Sequence, residues 1–478
     1  MSTWKGFKMR YTTEGGTTHE HSLDHAVEFF SKAGSLFEKR QSFYGQEENA
    51  LGLFQKVWIV DKPVAFKLLL WLRDCRGGAG NRSGFRTCLQ WLANRSPQWV
   101  AANMEWVPEV GRWDDLRCLF DTPLKRQAAE MWGDAIVDGQ LLAAKWADRK
   151  DLPIFYYLKS AYGDNVRLTD IGDFRRLLAR VRKEGIVEYK MCTKRWGEID
   201  YPKVPSVAMA RYTNAFSRHD EHRFAKYKEA LEKGEATVHA SVLFPHDCVR
   251  TSRFGDESIA NAQFEALPNF MEGTNERIIV ISDTSGSMTI RVSGSIQAVD
   301  ISQGMALYCS AKIEKDNPFY KKFIGFCDEG RFKDWNGMSF SEAVDNRRIF
   351  DRAVGSTYID RALGLILDTA KFFSLPDEYM PTTLLIISDM QFWSGVAGSG
   401  TEVEKALRLW NVAGYKLPKI VYWNTAGYVG SPATIDQDKV ALVSGFSPAV
   451  LKSIFSGDDL TPRGVMLRTL EKYDVVIP

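Results

Sequence analysis

Apolar positions along this chain follow two different grammars. From about residue 20 to 235 they recur three and four apart, the spacing of one face of a helix. PVAFKLLLWLRDC (63–75) is one such stretch and stops at Gly77-Gly78; RSGFRTCLQWLAN (82–94) is a second. DTPLKRQAAEMWGDAIVDGQLLAAKWADR (121–149) predicts one or two helices, and DIGDFRRLLARVRKEGIVEYK (170–190) and DEHRFAKYKEALEKGE (220–235) follow the same plan. Successive helices joined by short loops predict an α-solenoid or helical bundle, although no strict internal period is present.

Residues 236–275 mix Pro, Gly and polar residues and read as a connection with some helix. Beyond them, short apolar runs alternate with amphipathic segments. RIIVISD, FYKKFIGFCD, TTLLIISD, KIVYWN and VALVSGF predict strands, with helices between them and two more at the end. Such alternation implies a mostly parallel sheet covered on both faces. The expected organisation is therefore an all-α domain over 1–235, a connecting segment over 236–275 and an α/β doubly wound domain over 276–478.

Composition narrows the class without naming a function. The chain has 478 residues, 45% of them apolar and 26% charged, ordinary for a globular protein. Its seven cysteines are scattered, with no C-x-x-C pair, which argues for reduced thiols. The N-terminus lacks the apolar core of a signal peptide, and no run approaches the roughly 18 apolar residues of a membrane helix. The expectation is a cytoplasmic protein with no membrane contact. Net charge is +2; residues 1–275 hold 40 Lys/Arg against 36 Asp/Glu, and 276–478 hold 22 against 24. The strongest basic cluster is Arg175, Arg176, Arg180, Arg182, Lys183, Lys190, Lys194 and Arg195, opposed nearby by Glu184 and Glu188. It offers phosphate contacts, although a solvated helix face is the commoner fate of such a run.

In a doubly wound sheet, ligands bind beyond the carboxyl ends of the strands. Three polar clusters are expected there. Asp283-Thr284-Ser285-Gly286-Ser287 follows the strand IIVIS, Gly355-Ser356-Thr357 precedes a helix, and Ser388-Asp389 ends TLLIIS. Two carboxylates and three hydroxyls suit a hard divalent cation such as Mg²⁺, or alternatively Mn²⁺ or Ca²⁺, with Gly286 letting the loop turn tightly. Each piece also has a plainer reading: the Ser-rich turn as a helix cap, Thr357 with Asp360 as a capping box, Asp389 as a strand end. In their joint order the metal geometry is the stronger reading.

The D-x-S-x-S…T…D pattern resembles the metal-ion-dependent adhesion site of the von Willebrand factor A superfamily. Asp283, Ser285, Ser287, Thr357 and Asp389 match its five positions. The resemblance implies an ion with one coordination position left for a partner's oxygen, and hence recognition rather than catalysis. Beyond that domain, LRDCRGGAGNR (72–82), VGRWDDL (110–116), VAMARY (207–212), RHD (218–220) and VSGFSP (443–448) resemble the two-part TROVE–von Willebrand A architecture of Ro-type proteins. They are closer still to uncharacterised relatives with the same plan. The resemblance runs from about residue 45 onward. It implies HEAT-like helical repeats closed into a ring by the A domain, and RNA bound on a basic surface.

The Gly-rich loop 76–82 lacks the G-K-[ST] ending of a nucleotide loop and follows a helix, so a glycine-rich helix–helix turn is the favoured reading. Were it functional, Arg73, Arg76 and Arg82 would hold RNA phosphates. His19, His21 and His25, like His219 and His222, show no zinc spacing and read as surface or helix-lining residues. Most tryptophans, such as Trp71 and Trp91, fall on amphipathic helices and read as core. No nucleophile elbow or Ser-His-Asp arrangement is visible, and one ion without a nearby base makes a poor hydrolytic site. Two non-enzymatic readings follow: an RNA-binding scaffold, or an adaptor whose metal docks a protein partner such as an AAA-type ATPase.

Overall fold

A computed structural model of the chain describes all residues except 1–8, 13–14, 20–21, 37–48, 167, 184, 241, 294–295, 351–353, 394–399, 427–430, 435–436 and 457–459. His21 and Glu184 lie outside the described residues. Helices fill the N-terminal part, and a mixed α/β sheet fills the C-terminal part.

The helices begin and end where local chemistry directs. Asp61 caps Lys62–Arg73 by accepting the Val64 amide at 3.0 Å, with Pro63 in the first turn. Asn81 caps Arg82–Arg95 through the Gly84 amide at 2.9 Å. The 121–149 segment forms two helices, Lys125–Val137 and Leu141–Trp146. Asp170 and Asp173 form a capping box on Ile171–Arg182. In the connecting segment two helices form, Pro245–Phe254 and Glu257–Glu265; the first packs on Ala298–Lys312 and joins it through an Arg253–Asp300 ion pair.

In chain order the strands are β1 (Met9–Tyr11), β2 (Thr17–His19), β3 (Ile278–Asp283), β4 (Arg291–Ser293), β5 (Ile296–Gln297), β6 (Lys322–Phe326), β7 (Gly330–Asp334), β8 (Thr383–Ser388), β9 (Lys419–Asn424) and β10 (Val440–Ser444). The main sheet has the order β10-β9-β8-β3-β6-β7. All its pairings are parallel except β6 with β7. The five predicted strands are present. Edge strand β7, GRFKD, escapes an apolar-run reading because only Lys333 in it is buried. β3 and β8 are buried at every position, as their branched apolar runs require. Seven cysteines lie among the described residues and no disulfide joins them.

The two halves are interlocked at both termini. The described residues between 9 and 36, which the 1–235 boundary groups with the helical part, contact the C-terminal part. Helix His25–Lys32 lies against β10. The Ser444 hydroxyl donates to the Phe30 carbonyl at 2.7 Å, and the Ser35 hydroxyl donates to the Asn424 carbonyl at 2.7 Å. Conversely, the last residues reach the helical part: Asn103 exchanges two 2.8 Å hydrogen bonds with the Val476 backbone. One continuous apolar core runs from Val27 through the helical half to Tyr473, and a smaller one gathers around Tyr201, Phe216 and Phe224.

Candidate metal centre

The chain crosses from β3 to β6 on one side and returns to β8 on the other, so the carboxyl ends of β3 and β8 flank the point where strand order reverses. Ser282 pairs with Ile387, which sets Asp283 beside Ser388. The Ser388 hydroxyl donates to Asp283 Oδ2, and the Ser285 amide donates to Asp283 Oδ1 at 2.9 Å. The Ser285 and Ser287 hydroxyl oxygens are 3.0 Å apart. The loop carrying Thr357 is tied to them: the Gly286 amide donates to the Gly355 carbonyl at 2.9 Å, and the Val354 amide to the Thr284 carbonyl at 3.0 Å. The structure thus brings the D-x-S-x-S turn beside the Thr357 loop and the end of β8.

Asp283 and Asp389 are both wholly buried. Burial, and then the neighbouring Asp389 charge, push the Asp283 carboxyl up to about 7. Two carboxylates held this way in a dry pocket are costly unless a positive group lies between them. The Ser285 hydroxyl faces Asp283 and the more open Ser287 hydroxyl touches it, while Thr357, 1% exposed, lies on the loop tied to that turn. The donor set is entirely oxygen, the chemistry a hard divalent cation takes. Among the described residues no cluster of three or more His, Cys, Asp or Glu is placed to hold a metal; the candidate here has two carboxylates and relies on hydroxyls.

The plainer readings fare unequally. The helix after Thr357 spans Ile359–Phe372, begins at Tyr358 and has no side-chain cap, so Thr357 and Asp360 form no capping box. Asp389 does shape a turn, accepting the Gln391 amide at 3.1 Å, with Met390 at φ +64°. The glycine requirement falls on Gly355 rather than Gly286: Gly355 sits at φ +81°, and a Cβ there would meet the Asp328 carboxylate, whereas one on Gly286 would find only the Gly355 carbonyl at 3.4 Å. Asp328 and the N-terminal hairpin are site neighbours that sequence reasoning missed. The Asp328 carboxylate accepts the Ser356 amide at 2.9 Å. The hairpin clasps the segment after Asp389: the Thr12 hydroxyl and Gly16 amide both donate to the Phe392 carbonyl, and the Trp393 amide donates to the Thr357 carbonyl at 2.8 Å. No pattern in the chain links residues 12–16 to residue 392.

The basic candidates are scattered in role. Arg73 is 3% exposed and paired with Asp115 at 2.8 Å, which removes it from any phosphate surface. Arg82 pairs with Asp114 and Asp115, and Arg76 donates to the Glu109 carbonyl at 2.8 Å. In the Gly-rich loop, Asp74 accepts the amides of Arg76 and Gly77 as well as Lys472 Nζ at 2.7 Å and the Tyr473 hydroxyl at 2.9 Å. Its amides are thus spent on the fold, and Gly80 at φ +75° makes the expected turn. Along 175–195, Arg176 pairs with Asp173 and Arg195 with Glu198; Lys190 donates to the Glu198 carbonyl, and Arg182 to the carbonyls of Ala144 and Ala147. Arg175, Arg180, Lys183 and Lys194 remain exposed. His219 stacks on Trp196 at 4.6 Å, His19 pairs its backbone with Ser431, and His25 and His222 are exposed. Trp71 is buried as expected.

Two family models match successive parts of the chain. Residues 12–131 and 172–279 match a family model described as domain of unknown function DUF2828. Residues 277–469 match one described as domain of unknown function DUF7788. The chain is 26% identical to an uncharacterised protein of Acanthamoeba polyphaga mimivirus, over 97% of this chain and 88% of that one. Among solved structures it is similar to the crystal structure of the Deinococcus radiodurans RO (RSR) protein, at 14% identity, covering 95% of this chain and all of that one. The TM-score of 0.39 leaves that likeness without weight for fold or function.

Proposed function

We propose that this protein is a non-enzymatic scaffold whose C-terminal α/β domain recognises a partner through a divalent cation. Asp283, Ser285, Ser287, Thr357 and Asp389 would hold the ion, which supplies Lewis acidity toward an oxygen of the partner. The observation that carries this reading is the wholly buried Asp283–Asp389 pair at adjacent strand ends, beside the Ser285 and Ser287 hydroxyls and the Thr357 loop tied to their turn. The protein's own groups do the rest. Ser388 and the Ser285 amide fix the Asp283 carboxylate, and the hairpin holds the Phe392–Trp393 segment against Thr357. A protein carboxylate, such as one on an AAA-type ATPase, suits the open coordination position.

Titration calorimetry with Mg²⁺ and Mn²⁺ tests this directly. Wild type should take up one ion, and Asp283→Asn and Asp389→Asn should lower affinity at least tenfold. In metal-free buffer the same variants should melt no lower than wild type, because each removes a buried like-charge neighbour. Absence of Mg²⁺ and Mn²⁺ uptake by wild type at millimolar concentration would refute the proposal.

RNA binding by a HEAT-like helical half is the second reading. It is supported by the motif resemblance and by a surplus of arginine over carboxylate around the G-R-W-D-D-L segment. It predicts affinity for single-stranded or structured RNA that falls steeply with salt. The partly spent 175–195 run weakens it as the main contact surface.

A further inference from the structure

The arginines around Trp146 are unequally served. Six guanidinium groups, those of Arg73, Arg82, Arg86, Arg112, Arg117 and Arg182, share four carboxylates, Asp114, Asp115, Asp148 and Asp151. Five of the six have a carboxylate or carbonyl acceptor. Arg112 is the exception: its backbone amide donates to Asp115, but its guanidinium donates to no described residue. It lies instead over the Trp146 ring, 4.5 Å from the centroid, and is only partly exposed. Burial, and then the charges of Arg82 and Arg73, press its pKa downward against the opposing pull of Asp114 and Asp115.

We infer that Arg112, held over the Trp146 ring and beside the partly exposed Arg82, forms a binding site for a phosphate group. The guanidinium is held over the ring while its N–H groups stay without a described protein acceptor, and a guanidinium fork suits a phosphate's paired oxygens. Arg82 is paired through Nε and Nη2, keeps 39% of its side chain exposed and adds positive potential. The site takes nothing from the Gly-rich loop, where the amides of Arg76, Gly77, Gly78, Ala79 and Asn81 are occupied. It rests on the RNA reading for a phosphate within a nucleic acid, whereas free phosphate is the other source of the same chemistry.

The test uses the full chain, inorganic phosphate and one short single-stranded RNA, compared with Arg112→Gln and Arg112→Lys. For wild type, phosphate should raise the melting temperature more than chloride at equal ionic strength, and Arg112→Gln should abolish the difference. RNA affinity should fall about tenfold in Arg112→Gln, and its salt slope should drop by about one. Arg112→Lys should recover only part, since it keeps the charge and loses the fork. Phosphate stabilisation without RNA binding upholds the site and rejects the RNA reading. RNA binding untouched by Arg112→Gln rejects the site and leaves that reading standing. A lower melting temperature in Arg112→Gln with unchanged phosphate response assigns Arg112 to the fold and overturns the inference, as does no response to either ligand.

Discussion

Single positions show where this chain has no freedom. Gly355 sits at φ +81° beside the Asp328 carboxylate, and Gly286 in the neighbouring loop has an ordinary φ. Gly355→Ala should therefore cost about 1–3 kcal/mol in urea unfolding, from strain and crowding together. Gly286→Ala should cost well under 1 kcal/mol, since its Cβ meets one carbonyl at 3.4 Å. Equal costs would mean the loop is not held as described. Gly111 makes a related point: a Cβ there would approach the Arg73 Nε at 2.8 Å, so the glycine before Arg112 gives the buried Arg73–Asp115 pair its room.

At the scale of elements, the sequence motifs prove to be joints. The Gly-rich turn after Lys62–Arg73 receives the end of the chain at Asp74, and Gly445 after β10 packs where a Cβ would meet the Ala79 Cα at 2.8 Å. Segments 72–82, 110–116 and 443–448 thus form one seam between the helical half and the sheet. Burial alone would raise the Asp74 carboxyl, but Lys472 and the backbone amides of Gly77 and Arg76 outweigh it and hold it below its usual range. Asp74→Asn should destabilise by about 2–3 kcal/mol, because it weakens several bonds to a charged acceptor at once. Asp115→Asn should cost more, about 3–5 kcal/mol, because it leaves the buried Arg73 cation without its counter-charge. Urea midpoints at constant m-value measure both. A loss below 1 kcal/mol in either would show that the seam contributes little.

At the scale of the whole molecule, the connecting segment carries a pH dependence. His246 is fully buried between Phe244 and Phe446, and burial lowers its pKa. Its folded pKa lies below the ordinary 6.5, so the unfolded chain binds the proton first as pH falls. The stability it contributes is complete above pH 6.5 and is lost as pH drops below that value. Asp283, raised to about 7, acts oppositely in metal-free buffer between its ordinary 3.8 and 7. The quantity to measure is therefore the difference in unfolding free energy between wild type and His246→Gln at pH 5 and pH 8. Wild type should lose more than the variant on acidification; parallel curves would exclude a buried neutral histidine. Since His246 joins the helix Pro245–Phe254 to the loop after β10, this acid sensitivity belongs to the union of the two halves.

The sequence by itself determined the helical and α/β grammars and the five parallel strands, and it offered the five oxygen-bearing residues proposed to hold a metal. These are local properties: periodicity follows from helix and strand geometry, and the D-x-S-x-S turn is contiguous after a strand of evident burial. Only the tertiary structure decided which arginines are spent inside the fold. Arg73 and Arg112 both lie near acidic residues in short Gly-containing motifs, yet one meets a carboxylate and the other a tryptophan ring. It alone placed helix His25–Lys32 against β10 and set the hairpin against Phe392, some 380 residues away. Such pairings depend on how buried surfaces meet across the chain, and short-range pattern carries no record of the partner.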